Sequence, residues 1–146
     1  MPKSPADAAG PSLRLQVAND RAALEPARLA VLDFLAGQRL SDSLLFKLEL
    51  VLEETLMNRV WHAFADEARQ HTDLTVQLRC AAVVLLFEDD GIPFDPLQTA
   101  DPPAPSTLAE ARPGGLGLLL TRKAASVCHY ERAAGRNRFT VELART

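Results

Sequence analysis

The chain has 146 residues, of which 47% are hydrophobic and 24% charged, and 16 basic against 19 acidic side chains give a net charge of −3. This length and composition predict one globular domain around a single apolar core, which excludes a fully disordered chain and a two-domain protein. The slight excess of acid gives no electrostatic reason to expect nucleic acid, so a small ligand or a protein is the expected partner.

Hydrophobic periodicity then divides the chain into strands and helices. A first strand precedes two helices, which open on Ser or Asp caps, and Gly37 ends the first of them. Two apolar strands, a long proline-rich loop, a short helix and a hairpin follow. In chain order the predicted elements are the strand 12–18, helices 20–36 and 41–67, strands 73–80 and 81–87, the loop 94–113, the helix 115–126 and strands 127–133 and 138–143.

The order of these elements predicts an α/β (α+β) two-layer sandwich, with about three helices on one face of a mixed, mostly antiparallel sheet. Residues 1–11 carry three prolines among small residues and are predicted to be a disordered tail before a single domain over 12–146. No signal-peptide pattern opens the chain and no apolar run could cross a bilayer, so we expect a cytoplasmic protein without membrane association. Cys80 and Cys128 lack metal-ligand spacing and are interpreted as buried thiols.

Three short segments carry the chemistry of a nucleotide site. Glu54 and Asn58 stand one helical turn apart, where a carboxylate and a carboxamide can orient a nucleophile and hold a metal. An Asp-Asp-Gly turn at 89–91 follows an apolar strand, and Gly114–Gly117 opens a helix whose backbone amides can meet phosphates. Each motif alone is weak, but their occurrence in this order is unlikely to be coincidence.

These segments, with their neighbours over 48–58, 89–96 and 114–122, resemble the GHKL ATPases. The Pro-Phe-Asp-Pro run at 93–96 and the Gly-Gly-Leu-Gly-Leu run at 114–118 are typical of the stand-alone anti-sigma-factor serine kinases within that superfamily. The resemblance covers roughly residues 12–144. It implies a Bergerat ATP-binding fold that uses ATP and Mg²⁺.

The resemblance also implies a role for each matching residue. Glu54 would be the catalytic base, Asn58 the magnesium ligand, Asp89 the acceptor for the adenine amino group, and Gly91 the residue that leaves room for the ring. The phosphates would be bound by the glycine motif, namely Gly114, Gly115, Leu116 and Gly117.

Several alternatives stay open. Asp90 could read the base in place of Asp89, and Glu53 is a fallback base on another side of the helix. His62 could act as a phosphoacceptor or base, although packing near the helix end is the favoured interpretation; Trp61 and Phe64 would be core or pocket walls. Arg59 departs from the family, which usually has Ala there, so its side chain must reach solvent, an acid or a phosphate.

The sequence therefore predicts an ATP-dependent serine/threonine kinase that phosphorylates a serine on a small antagonist protein. The resemblance implies a sigma factor as a second partner and is compatible with a homodimer; direct nucleic-acid binding is not expected. The alternative is a nucleotide-binding regulatory module that sequesters a partner with little or no kinase activity. A detached histidine-kinase ATPase domain is disfavoured, because no helix with a phosphoacceptor histidine precedes the site.

Overall fold

One antiparallel sheet organises the chain in the computed structural model, which describes residues 9–63, 71–98 and 121–145. Each strand pairs antiparallel with its neighbours in the order β1-β2-β3-β5-β4. The strands are β1 (Ala9–Ala18), β2 (His71–Arg79), β3 (Ala82–Asp89), β4 (Val127–Ala133) and β5 (Arg136–Ala144), and the helices are α1 (Leu24–Leu35) and α2 (Asp42–Ala63).

The first strand begins earlier than the sequence predicted. β1 starts at Ala9, so residues 9–11 belong to the strand and not to a tail. The pairing of β1 with β2 is irregular between Ala9 and Ser12. Pro11 lies in this irregular stretch, where an edge strand tolerates a residue that cannot donate a backbone hydrogen bond. A Cβ on Gly10 would lie 2.6 Å from the carbonyl oxygen of Leu78, so only glycine fits there.

The predicted caps fix the two helices. Asp20 accepts a hydrogen bond from the backbone N–H of Ala23 at 2.9 Å and so caps a 3-10 turn that leads into α1. Gly37 has a φ of +83° and follows the end of α1, as the sequence predicted. Ser41 is the cap of α2, because its Oγ accepts from the N–H of Leu44 at 3.1 Å.

Two hairpins complete the sheet. Cys80 lies in the exposed turn between β2 and β3, and Cys128 on β4 is half-buried, so the interpretation of both as buried thiols is wrong. Ala134 and Gly135 have φ values of 53° and 74° and form a two-residue turn between β4 and β5. β5 therefore begins at Arg136, two residues earlier than predicted, which places Asn137 in the sheet.

Both helices pack on one face of the sheet, which is the two-layer fold predicted from the sequence. Inward residues of the three central strands are almost fully buried against apolar residues of α1 and α2, and residues 121–124 are helical as well. The other face of the sheet is polar: Arg138 pairs with Glu88 at 3.1 Å and with Glu131 at 3.0 Å. No helix in the described ranges is long and apolar enough to cross a membrane. The core comprises mainly Val31, Leu48, Val51, Leu74, Val76, Leu85, Phe87, Phe139 and Val141.

Candidate functional site

The C-terminal half of α2 carries the predicted Glu54 and Asn58, and Arg59 on the same stretch contacts Asp89 at the end of β3. Leu48, Leu52 and Leu56 bury the preceding turns of the helix in the core. Asn58 is only 6% exposed and Glu54 is half-buried. Since the two are four residues apart on one helix, their side chains lie on the same face.

The neighbouring Glu53 points elsewhere. It is exposed and lines a groove between α1 and α2, together with Arg28 and Glu49. Arg28 donates to Glu49 at 2.7 Å, so charged side chains occupy that groove. The favoured base, Glu54, is thus half-buried, whereas the fallback base, Glu53, is exposed beside the groove.

The environment of Glu54 changes its acidity. Partial burial raises the pKa of its carboxyl above the ordinary value of 4.5, and the negative charge of Glu53 raises it further. Both effects disfavour the ionised form. A carboxylate that holds its proton more tightly is a stronger base once ionised, which suits a group that accepts a proton from a hydroxyl.

Asp89 ends β3 as a fully buried side chain on the helix-covered face. Its Oδ1 accepts from the backbone N–H of Gly91 at 2.9 Å and from Nδ2 of Asn137 at 2.9 Å. Asp90, the alternative base reader, is exposed on the other side of the strand and pairs with Arg136 at 3.3 Å. Of the two acids, Asp89 is the one that lies beside α2.

Arg59 contacts the other oxygen of Asp89. Its Nη1 lies 3.1 Å from Oδ2 of Asp89, and the two side chains are 1% and 0% exposed. Of the three destinations open to Arg59 in the sequence, the structure selects an acid, and that acid is the predicted base reader. This ion pair joins α2 to the end of β3.

Asn137 was missed as a site residue. It is fully buried opposite Asp89 in the β3–β5 pairing. Besides Asp89, its Nδ2 donates to the carbonyl of Ile92 at 2.8 Å, and its Oδ1 accepts from the Tyr130 hydroxyl at 2.5 Å and the N–H of Phe94 at 3.2 Å. These four bonds use its full hydrogen-bonding capacity. The sequence signal for Asn137 is its spacing: it lies two residues before Phe139 and four before Val141, so it faces the same side of the strand as these inward residues.

The turn after β3 is held from both sides. Gly91 is buried, its N–H donates to Asp89, and its carbonyl accepts from Nη1 of Arg132 at 2.6 Å. Asn137 holds the next residues of the turn. Asp89 and Gly91 are therefore fixed by hydrogen bonds from two strands.

Asn58 fits the part of a magnesium ligand. Its Nδ2 is buried and has no hydrogen-bond partner among the described residues. The amide oxygen is a hard ligand of the kind Mg²⁺ accepts. Thr121, in the helical residues 121–124, is also buried, and its hydroxyl lacks a partner within the described ranges.

The remaining predicted site residues lie outside what the structure describes. These are the phosphate-binding Gly114, Gly115, Leu116 and Gly117, most of the loop 94–113, and the side chains of Trp61, His62 and Phe64. The described site thus consists of the α2 residues and the β3 turn.

The chain matches known proteins over most of its length. A model of the histidine kinase-like ATPase domain matches residues 17–143. The serine/threonine-protein kinase BtrW of Bordetella bronchiseptica is 37% identical over 103 residues, which are 70% of this chain and 72% of that protein. The chain belongs to the histidine kinase-like ATPase family.

A solved structure shows the same fold. The crystal structure of the RsbU and RsbW domains of Rv1364c from Mycobacterium tuberculosis matches 94% of this chain with a TM-score of 0.64 and 17% sequence identity. This chain spans 34% of that longer chain. Together the matches confirm the predicted histidine kinase-like (GHKL) ATPase family, and the solved structure confirms the α+β fold.

Proposed function

We propose that this chain is an ATP-binding serine/threonine protein kinase of the anti-sigma-factor type, acting in the cytoplasm on a serine of a small antagonist protein. The observation that carries the proposal is the position of Glu54 and Asn58 on the part of α2 that contacts Asp89 at the end of β3. A catalytic base, a metal ligand and a base reader thus come from two packed elements. The name of the kinase BtrW supports the same class of reaction.

In the proposed reaction, one side chain transfers a proton and the others bind the nucleotide and the metal. Glu54 accepts the proton of the substrate serine while the serine oxygen bonds to the γ-phosphorus and the bond to ADP breaks. Asp89, held by Gly91 and Asn137, contacts the adenine, and the glycine motif Gly114–Gly117 contacts the phosphates. Mg²⁺, when bound, neutralises phosphate charge, and Asn58 would supply its protein ligand.

The pair of Arg59 and Asp89 favours a second candidate function. With its base reader engaged by an arginine, the chain would bind ATP weakly and act as a regulatory module that sequesters its partner with little phosphotransfer. A sigma factor is the second partner in either case, and a homodimer is compatible with both. Phosphotransfer separates the two candidates, because only the first transfers phosphate.

The test incubates this chain with a purified small antagonist-domain protein that binds it, together with γ-labelled ATP and Mg²⁺. We expect label on a serine of that protein, and Glu54→Gln should lower the rate by about 10² to 10⁴ while nucleotide binding is retained. The control is Glu25→Gln, which changes an exposed glutamate on α1 and should leave the rate unchanged. Equal rates in the wild type and Glu54→Gln would reject Glu54 as the base. Partner binding without labelling would favour the regulatory module.

A further inference from the structure

Arg59 stands where the nucleotide base is expected to bind. Its Nη1 lies 3.1 Å from Oδ2 of Asp89, and both side chains are within 1% of full burial. Arg59 follows Asn58 on α2, and the packing of α2 over the sheet brings its side chain to Asp89. The inference below rests on the proposed ATP site.

The carboxylate of Asp89 does not need Arg59 to hold it in place. The backbone N–H of Gly91 and Nδ2 of Asn137 both donate to Oδ1 at 2.9 Å, and together they use the two acceptor directions of that oxygen. Asn137 is itself held by Tyr130 and Phe94. The orientation of the carboxylate is therefore set by β5 and the turn after β3.

Oδ2 is consequently the oxygen that an adenine amino group has to reach. The guanidinium and the carboxylate form an ion pair of opposite charges 3.1 Å apart, and such an attraction is stronger in a buried, low-dielectric site than at the surface. The amino group of adenine is a neutral donor. In a buried site the arginine is therefore the stronger competitor for the same oxygen.

We propose that Arg59 competes with the adenine base for Asp89, so that ATP binds only when the guanidinium withdraws. The apparent affinity for ATP is then the intrinsic affinity reduced by the fraction of molecules in which the pair is open.

The experiment is a calorimetric titration of a non-hydrolysable ATP analogue with Mg²⁺ into the full chain and its variants. We expect Arg59→Met to bind the analogue at least about tenfold more tightly than the wild type does. This gain corresponds to a wild type in which the Arg59–Asp89 pair is open in less than about a tenth of the molecules. Arg59→Lys keeps the positive charge but cannot match the planar geometry of the guanidinium. Its affinity for the analogue should therefore lie between those of the wild type and Arg59→Met. If Arg59→Met does not fold, Arg59→Lys carries the comparison.

Arg138→Met is the matched control. It removes an arginine that pairs with Glu88 and Glu131 on the opposite face of the sheet, so nucleotide affinity should not change. An equal gain in this variant would overturn the proposal, because the effect would then come from net charge.

Three further outcomes would contradict the proposed competition between Arg59 and adenine without contradicting the proposed ATP site. Equal affinities of the wild type, Arg59→Met and Arg59→Lys would show that the pair does not oppose binding. Weaker binding by Arg59→Met, restored by Arg59→Lys, would show that the cation positions Asp89 for the base. A GTP analogue preferred by the wild type and not by Arg59→Met would show that Arg59 reads a carbonyl. The absence of nucleotide binding in every variant would reject the proposed function as well.

Discussion

Arg59 and Asp89 also bear on the stability of the fold, because each neutralises a charge that the other would leave buried. Removing one partner of a buried ion pair typically costs about 3 to 5 kcal/mol of unfolding free energy. The two changes are unequal here. Without Arg59, the carboxylate of Asp89 keeps the donors of Gly91 and Asn137, whereas in Asp89→Asn the buried guanidinium loses the negative charge that lies 3.1 Å from it.

A double-mutant cycle tests this coupling. We expect Asp89→Asn to lower the free energy of unfolding more than Arg59→Met does. The double variant should lose less unfolding free energy than the two single variants lose together. The difference, which is the coupling energy, should be about 0.5 to 3 kcal/mol. Urea unfolding of the four proteins measures it. Strictly additive losses would mean that the ion pair contributes nothing to the folded state.

Glu54 gives the site a predictable dependence on pH. Phosphotransfer requires the ionised carboxylate, so the rate falls as pH falls through the pKa of Glu54. Because burial and Glu53 raise this pKa above 4.5, the loss occurs at a higher pH than for an ordinary glutamate. The same shift means that ionising Glu54 opposes folding, so this group lowers the unfolding free energy as pH rises through that range.

Replacing Glu53 by Gln tests the sign of this effect. The change removes a neighbouring negative charge, lowers the pKa of Glu54 and should move the acidic limb of the pH–rate profile to lower pH. Glu25→Gln, on the exposed side of α1, should leave the limb in place. A limb that stays fixed in Glu53→Gln, or moves upward, would contradict the assignment of that limb to Glu54.

At the scale of elements, Asn137 couples β5 to both β3 and the turn that follows it. Its side chain replaces backbone pairing where the strand ends, and it holds Ile92, Phe94 and Tyr130 as well as Asp89. A buried side chain with all its hydrogen bonds made rigidifies its surroundings, and its loss leaves several polar groups without partners.

We therefore expect Asn137→Ala to lower the free energy of unfolding by about 1 to 3 kcal/mol and to weaken nucleotide binding through Asp89. Tyr130→Phe is the control, because it removes only one of the four bonds to Asn137 and should have the smaller effect on both. Chemical denaturation and analogue titration provide the two measurements. If Tyr130→Phe proved as damaging as Asn137→Ala, the role assigned to the Asn137 network would be wrong.

Most elements were predictable because their signals are local. The caps at Asp20 and Ser41, the glycine at 37 and the alternation in β2 depend on neighbouring residues, and each appears in the structure. The start of β1 was missed because the irregular pairing near Gly10 and Pro11 breaks the alternation that identifies a strand.

The contacts between distant residues could not be read in the same way. The sequence offered Arg59 three destinations, and only the packing of α2 over the end of β3 selects Asp89. Asn137 was assigned to a turn because the tight pair Ala134–Gly135 was read as a longer loop. Register decides which side chains meet, and register depends on the whole sheet.

At the scale of the whole molecule, the described residues offer two regions where a ligand could bind. One is the site formed by α2 and the β3 turn. The other is the groove between α1 and α2, lined by apolar residues and by Glu25, Arg28, Glu49 and Glu53. Three carboxylates beside one arginine make the groove a poor site for phosphates. We therefore assign the nucleotide to the first region.

Amide chemical-shift mapping with a non-hydrolysable ATP analogue and Mg²⁺ tests this assignment most directly. The N–H of Gly91 and the side-chain amide of Asn137 both donate to Asp89, so we predict saturable shifts of these two signals. Backbone signals of Arg28 and Glu49 in the groove should stay in place. Shifts confined to the groove, or none at Gly91 and Asn137 when the analogue saturates the protein, would contradict a nucleotide site built on Asp89.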